Sequence, residues 1–404
     1  MASELRVNRI VNSSGISTIS LDSSGINFVG PSNFSGTVSN LNVTSVNNGP
    51  VSGTRNRIIN GAMEIDQRNN GGQITVNQNG FNNRLFPIDR FPLQKNSSGG
   101  TISGIRSTDV PSGQGFNNSF AAQVASAGPA SPASTDYLYI NHRVEGYNVA
   151  DFNFGTAFAR TFTLSFWVKS SIAGIYCVGF SNYADNRSIP VEYRINSPNV
   201  WEYKTITLTA DTVGTWEKTN SGGLNIAWVL SAGTSYQGTN NVWTSGVILA
   251  TSNQTNTWFS TASNTFYLTG VQLELGSVAT SFERRSYGQE LALCERYYEK
   301  SYNQDVAVGS VSEFGAWESV SINVVDFYDY GRLNFRTRKR TIPTLTLWST
   351  NGILGQWRNL SSGVNQGNSG SNNVSETGAH LFCVNNAMTA SNAFRTQWSS
   401  SAEL

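Results

Sequence analysis

A chain of 404 residues with a formal net charge of +1 and 13% charged residues carries no electrostatic footprint for duplex nucleic acid or an anionic membrane surface. The charged share is about half of the roughly 25% usual in soluble proteins, and Gly, Asn, Ser and Thr fill its place while aromatics reach 11%. Such a chain reads as all-β, turn-rich and held by aromatic packing, with length for two or three domains.

Residues 1–53 form the first unit. Ser13-Ser-Gly15-Ile16 recurs ten residues later as Ser23-Ser-Gly25-Ile26, and isolated apolar residues then stand among polar ones from Asn33 to Val43. One copy of so thin a segment cannot offset its ordering entropy, so it is either flexible or shares a core with other copies; the shared core is favoured. Residues 47–53 (NNGPVSG) read as a linker. The opening Met1-Ala-Ser-Glu-Leu-Arg lacks the apolar region of a secretion signal, and no stretch approaches the 18 or so apolar residues of a spanning helix. Synthesis in a cytoplasm without membrane insertion is expected.

Residues 54–285 read as one antiparallel β-domain. Alternating apolar residues predict strands at 161–168, 174–181, 201–209, 224–230 and 265–275, each with one buried face, which closes as a sandwich or jelly roll. Gly/Ser/Asn-rich stretches at 96–104, 112–134 and 231–244 read as long loops, where binding would sit. A connecting helix follows over 286–303, with Ser286 and Gln289 spaced as a capping box and Tyr287, Leu291, Cys294 and Tyr298 at helical spacing. The remainder, 304–404, reads as a smaller β-domain, with strands expected at 306–311, 316–325, 331–338 and 345–349, a polar loop over 360–377, and a last aromatic run at 394–398.

Little in the sequence carries chemistry. Three cysteines far apart give neither a disulfide framework nor a zinc pair, and His142 and His380 lack partners at metal-ligand spacing, so no metal or cofactor is expected. No nucleophile elbow, phosphate loop or dinucleotide fingerprint occurs. Glu313, Glu318, Asp326 and Asp329 are the carboxylates a glycan hydrolase would use, yet strand-edge and turn carboxylates are common and no many-turn β-helix repeat accompanies them; no catalysis is expected. The basic cluster Arg332, Arg336, Arg338, Lys339 and Arg340 reads as a solvated surface. Aromatic residues are the remaining signal, because sugar rings stack their C–H faces on Trp and Tyr. Trp216, Tyr236, Trp243 and Trp258 in Asn-rich, loop-like surroundings, with Trp348 and Trp357 in the terminal region, are the glycan-binding candidates; Trp398 is of the same kind.

Four stretches carry a family resemblance: MASELRVNRIV at the start, NRIINGAMEIDQRNN (56–70), FERRSYGQELALCERYYEK (282–300) and FRTRKRTIPTLTLWSTNG (335–352), together with the terminal Ala402-Glu403-Leu404. The chain resembles tail fibre and other appendage proteins of tailed bacteriophages, particularly those infecting cyanobacteria. That resemblance implies a homotrimer with an interleaved amino-terminal β-shaft, a jelly roll over 54–285, and attachment to the phage tail through the amino end, where Leu5, Val7, Ile10 and Val11 are the candidate docking residues. It further implies adsorption to host surface polysaccharide from the virion. A capsid or neck fibre and a depolymerase tailspike are the competing readings.

Overall fold

The computed structural model of the protein describes residues 54–80, 83–320, 322–324, 327–367, 369–383 and 393–404. The expected shaft, with Leu5, Val7, Ile10 and Val11, lies outside the described residues.

The strands of the first β-region are β1 (Ile74–Val76), β2 (Leu85–Ile88), β3 (Phe91–Asn96), β4 (Thr101–Ser107), β5 (Ser119–Ser126), β6 (Tyr137–Glu145), β7 (Thr161–Ser170), β8 (Gly174–Ser181), β9 (Arg187–Ile195), β10 (Glu202–Thr209), β11 (Gly222–Ala232), β12 (Thr244–Ser245) and β13 (Thr265–Leu275). They form two antiparallel sheets, ordered β1-β4-β5-β13-β7-β10 and β12-β9-β8-β11-β6-β3-β2. Because the chain crosses between sheets after β1, β3, β5, β6, β7, β9, β10 and β12, the sandwich is of the expected jelly-roll kind. Period-two patterning drives it: in β7 the side chains of Phe162, Leu164, Phe166 and Val168 are wholly buried between the sheets, and Thr163, Ser165, Trp167 and Lys169 take the outer face.

The two outer faces differ. Strand β11 is buried along its whole length, since the outward Ala227 and Val229 pack with Tyr139, Cys177, Leu249 and Ala250 under the 233–255 loop. Among the described residues no such cover lies over Trp167 and Tyr203 on the six-stranded sheet, and Tyr203 is 43% exposed.

Two of the three expected long loops contain strands. β4 and β5 run through them, built on small residues whose weak hydrophobicity hides their alternation; Gly104 is required there, because a Cβ would lie 2.4 Å from the Pro87 ring.

The helix α1 (Tyr287–Glu295) starts as expected: the Ser286 hydroxyl accepts from the Gln289 amide, and the Gln289 side chain accepts from the Ser286 amide at 3.1 Å. Replacing Ser286 by Ala is expected to cost about 1 kcal/mol, read as a lower urea midpoint at unchanged slope. The helix stops at Glu295, short of the expected Asn303. Tertiary pairing wins over helical spacing, because Tyr298–Lys300 forms β14, buried and paired with Ser399–Ser401.

Beyond it lie β15 (Trp317–Val320), β16 (Ile322–Val324), β17 (Phe327–Asn334), β18 (Thr344–Trp348), β19 (Trp357–Asn359), β20 (Asn365–Gln366), β21 (Ser369–Ser375), β22 (Gly378–Cys383) and β23 (Ala393–Ser401). β23 pairs with β14, β15, β18 and β19, and a four-stranded sheet runs β16-β17-β22-β21. Residues 306–311, expected as a strand, are turns, and the expected polar loop 360–377 contains β20 and β21.

The described stretches behind the family resemblance converge on one buried polar seam. Asn56 accepts from the Ile58 and Leu273 amides and donates to the Val271 carbonyl, laying this segment beside β13, where Gly61 comes so close that a Cβ would sit 2.1 Å from the Val271 oxygen. Asn60, at φ 62°, bridges Ile65 and Asp89 through its amide. Arg285 bonds the Ile58 carbonyl and Glu290, and Glu403 is held by Arg68 and Arg90. Nor is the basic cluster all solvated: Lys339 is fully buried against Glu299, and Arg340 donates to the carbonyls of Asn220, Ala402 and Glu403.

Candidate functional site

The outer face of the six-stranded sheet carries a strip of aromatic rings. Trp167 on β7 and Tyr203 on β10 are direct cross-strand partners with centroids 5.3 Å apart. Two residues along β7, roughly 7 Å away at strand spacing, Lys169 faces Tyr267 of β13 in register. Its ammonium lies 4.4 Å from the Tyr267 centroid and 5.4 Å from that of Trp201, whose own ring is 6.0 Å from Tyr267.

Asp109 locks this end of the strip. One carboxylate oxygen pairs with Lys169 and the other accepts from the Trp201 indole at 3.0 Å. Burial alone would push the Asp109 carboxyl up, but these two hydrogen bonds more than offset it and hold it below the usual carboxylate range. The lysine charge is thereby neutralised and the rings are fixed in place.

The other end opens into a cleft of about 390 Å³ whose lining includes Phe116, Trp167, Tyr203, Phe282 and Arg284. Gly270 makes it possible. β13 bulges against β7 between Thr269 and Gln272, Gly270 takes φ 62° there, and a Cβ would meet Phe116 at 2.7 Å and Trp167 at 3.0 Å. Ser165, Thr280, Ser281 and Gln114 supply hydroxyl and amide groups around the rings. An apolar floor with a polar rim at this volume suits one or two rings of a polyhydroxylated ligand.

The candidates taken from sequence lie elsewhere. Trp258 is fully buried and donates to the Thr265 carbonyl at 3.0 Å; Trp216 is buried and stacked on Phe154 at 4.2 Å; Trp357 is fully buried beside Trp317. These rings anchor loops and core, which removes them from solvent, and Trp398 is buried likewise. Trp243 is half-buried, edge-on to Trp216, with its indole bonded to the Thr209 carbonyl; Tyr236 caps Tyr137; Trp348 meets Tyr302 edge-on. They do not form one surface with the strip.

Among the hydrolase candidates, Glu313 and Glu318 are both ion-paired with Arg395 on an exposed edge, at 2.9 and 2.7 Å. Asp326 and the side chain of Asp329 lie outside the described residues. Among the described residues no group of three or more His, Cys, Asp and Glu is placed to hold a metal ion. His142 is wholly buried with its ring 4.7 Å from Phe91, and burial pushes its pKa well below the ordinary value. Cys177 and Cys294 are free and buried, and burial pushes the Cys177 thiol up to about 11, away from reactivity.

No protein-family model and no curated protein matches the sequence. Solved structures with some likeness include the enzymatically active domain of tailspike protein 4 of bacteriophage CBA120, at 13% identity and a TM-score of 0.27, covering 46% of this chain and 19% of that one. A putative sugar binding protein from Bacteroides thetaiotaomicron (9% identity, TM-score 0.30) covers 55% of this chain and is itself covered over 100% of its length. A family 11 carbohydrate-binding module from Clostridium thermocellum, in complex with a mixed-linked tetrasaccharide, stands at 12% identity and a TM-score of 0.24, covering 52% and 98%. Likenesses this slight fix neither topology nor ligand.

Proposed function

We propose that the chain is a noncatalytic, glycan-binding part of a tailed-phage appendage, working as a homotrimer on the virion, attached to the tail by its amino-terminal residues and meeting host surface polysaccharide with the open face of its sandwich. One observation carries the binding reading: Trp167, Tyr203 and Tyr267 stand on strands of one outer sheet face, and Trp201, just before β10, is packed beside Tyr267 and hydrogen-bonded to Asp109. Aromatic faces at this spacing suit the C–H faces of successive sugar rings, and a face already rigid binds with little ordering cost. The virion context rests on the sequence resemblance. Three copies of a weak face would add through effective concentration, so adsorption needs no single tight pocket.

The test is binding of the purified chain to host envelope polysaccharide, with light scattering for the oligomeric state. Trp167→Ala combined with Tyr203→Ala is expected to weaken binding at least tenfold, about 1.4 kcal/mol, at an unchanged unfolding midpoint. Undiminished binding by that folded double variant would overturn the assignment of the site, and a monomer in solution would overturn the trimer.

A further inference from the structure

Among the described residues Arg284 is the single charged side chain lining the cleft at the end of the strip. Its guanidinium lies 4.7 Å from the Phe116 centroid and 5.6 Å from that of Phe282, and it gives one hydrogen bond to the Gln114 carbonyl at 2.7 Å. Those two rings hold the planar group in place and leave its other donors for a ligand.

Neighbouring charges do not satisfy it. Lys169, the strip's other cation, is paired with Asp109, and Arg285, next in sequence, is paired with Glu290. The acids closest in the chain and the fold are occupied: Glu283 accepts from the Asn56 amide, and Glu64 accepts from Asn117 and Asn118. Among the described residues Arg284 makes no ion pair at contact distance; Glu64, Glu283 and Glu290 line an adjoining cleft with it and are engaged by other donors.

We infer, resting on the glycan reading above, that the cleft takes a carboxylated sugar residue, a uronic acid within an acidic polysaccharide, with Arg284 receiving the carboxylate on its fork of donors and Trp167 and Tyr203 receiving the ring. A guanidinium matches a carboxylate in two parallel hydrogen bonds, a geometry that a neutral sugar does not offer. Arg284 acts here as the specificity-determining residue.

The experiment compares binding of the full chain to polygalacturonate, neutral galactan and dextran sulfate at two salt concentrations. Wild type is expected to bind polygalacturonate at least tenfold more tightly than galactan, an advantage that shrinks with salt. Arg284→Gln is expected to lose that advantage while keeping its galactan affinity, and Arg284→Lys to recover only part of it. Trp167→Ala is expected to lose both ligands. Equal affinities for the acidic and neutral chains in wild type, an unchanged ratio in Arg284→Gln, or equal capture of dextran sulfate would overturn the carboxylate assignment and leave glycan binding standing; absence of binding to every glycan would overturn both.

Discussion

Replacing Glu403 by Ala is expected to lower the free energy of unfolding by about 3–5 kcal/mol, read as a shift of the urea midpoint at unchanged slope. The carboxylate is 9% exposed and accepts from Arg68 at 2.9 Å and from Arg90, which is itself buried. Arg90 lies 3.5 Å from the Tyr297 ring centroid and Arg68 3.6 Å from that of Tyr298, so neither guanidinium can swing to water when its partner is gone. Arg68 would keep Asp89, whereas Arg90 would keep only the Arg143 carbonyl. A buried guanidinium without a counter-ion is the costly product.

The pH dependence of that variant gives a second readout. Burial raises the Glu403 carboxyl, but Arg90, Arg68 and Arg84 outweigh it and hold its pKa below the ordinary value. A carboxyl depressed in the folded state contributes stability that is complete above its unfolded value, roughly 4.3, and is lost as pH falls through the folded one. Wild type should accordingly lose stability below about pH 4, and Glu403→Gln should lack that part of the loss. Asp89 works the other way: burial pushes it up to about 6 against the pull of Arg68, so its contribution declines as pH rises from near 4 to 6. A Glu403→Ala midpoint within 1 kcal/mol of wild type, with the acid slope retained, would show that the seam does not depend on this residue.

How far the fold could be read depended on the size of the side chains marking each period. In β7, β8 and β13 large apolar residues alternate with polar ones, and the expected spans coincide with the observed strands within two residues. β4 and β5 escaped notice because Gly104, Ala121 and Ala122 fill buried positions without the bulk that reveals an alternation. The helix was overextended because nothing between Cys294 and Tyr302 breaks helical spacing; the partner that claims Tyr298–Lys300 is β23, a hundred residues later in the chain.

The aromatic face proposed for binding was present in the sequence, on strands for the most part. Trp167 falls in the same phase as Thr163, Ser165 and Lys169 and opposite to Phe162, Leu164, Phe166 and Val168, so a strand whose polar face carries a tryptophan was there to be read. Tyr203 and Tyr267 stand out of phase with the buried Ile206, Leu208, Phe266 and Leu268 in the same way. Their meeting on one face required the strand order β13-β7-β10, which no local pattern contains. Conversely, polar neighbours made Trp216 and Trp258 look exposed, although a turn of polar backbone needs a buried ring to fasten it. The described stretches behind the family resemblance lie chiefly in the seam, and Phe282 and Arg284, which open one of them, reach the cleft.

Lys339→Met is expected to destabilise the chain by about 3–5 kcal/mol, and the double variant Lys339→Met, Glu299→Gln is expected to recover most of it. Both partners are fully buried and in direct contact. Glu299 also accepts from the Arg336 amide at 2.9 Å and the Thr337 amide at 3.4 Å through its two different oxygens, so removing the lysine strands a carboxylate that cannot leave, while glutamine removes the charge and keeps one oxygen for the shorter of these bonds. Burial lowers the Lys339 pKa, and the attraction of Glu299 does not restore it. The unfolded chain then binds more protons than the folded one between that lowered value and the ordinary lysine value, so stability should rise with pH across this alkaline window in wild type, and Lys339→Met should lack the rise. The pair thus fixes how the 335–352 stretch seats against β14 more than it adds net stability. Equal losses in the single and double variants, measured as urea midpoints, would place the cost in lost packing and overturn the electrostatic account.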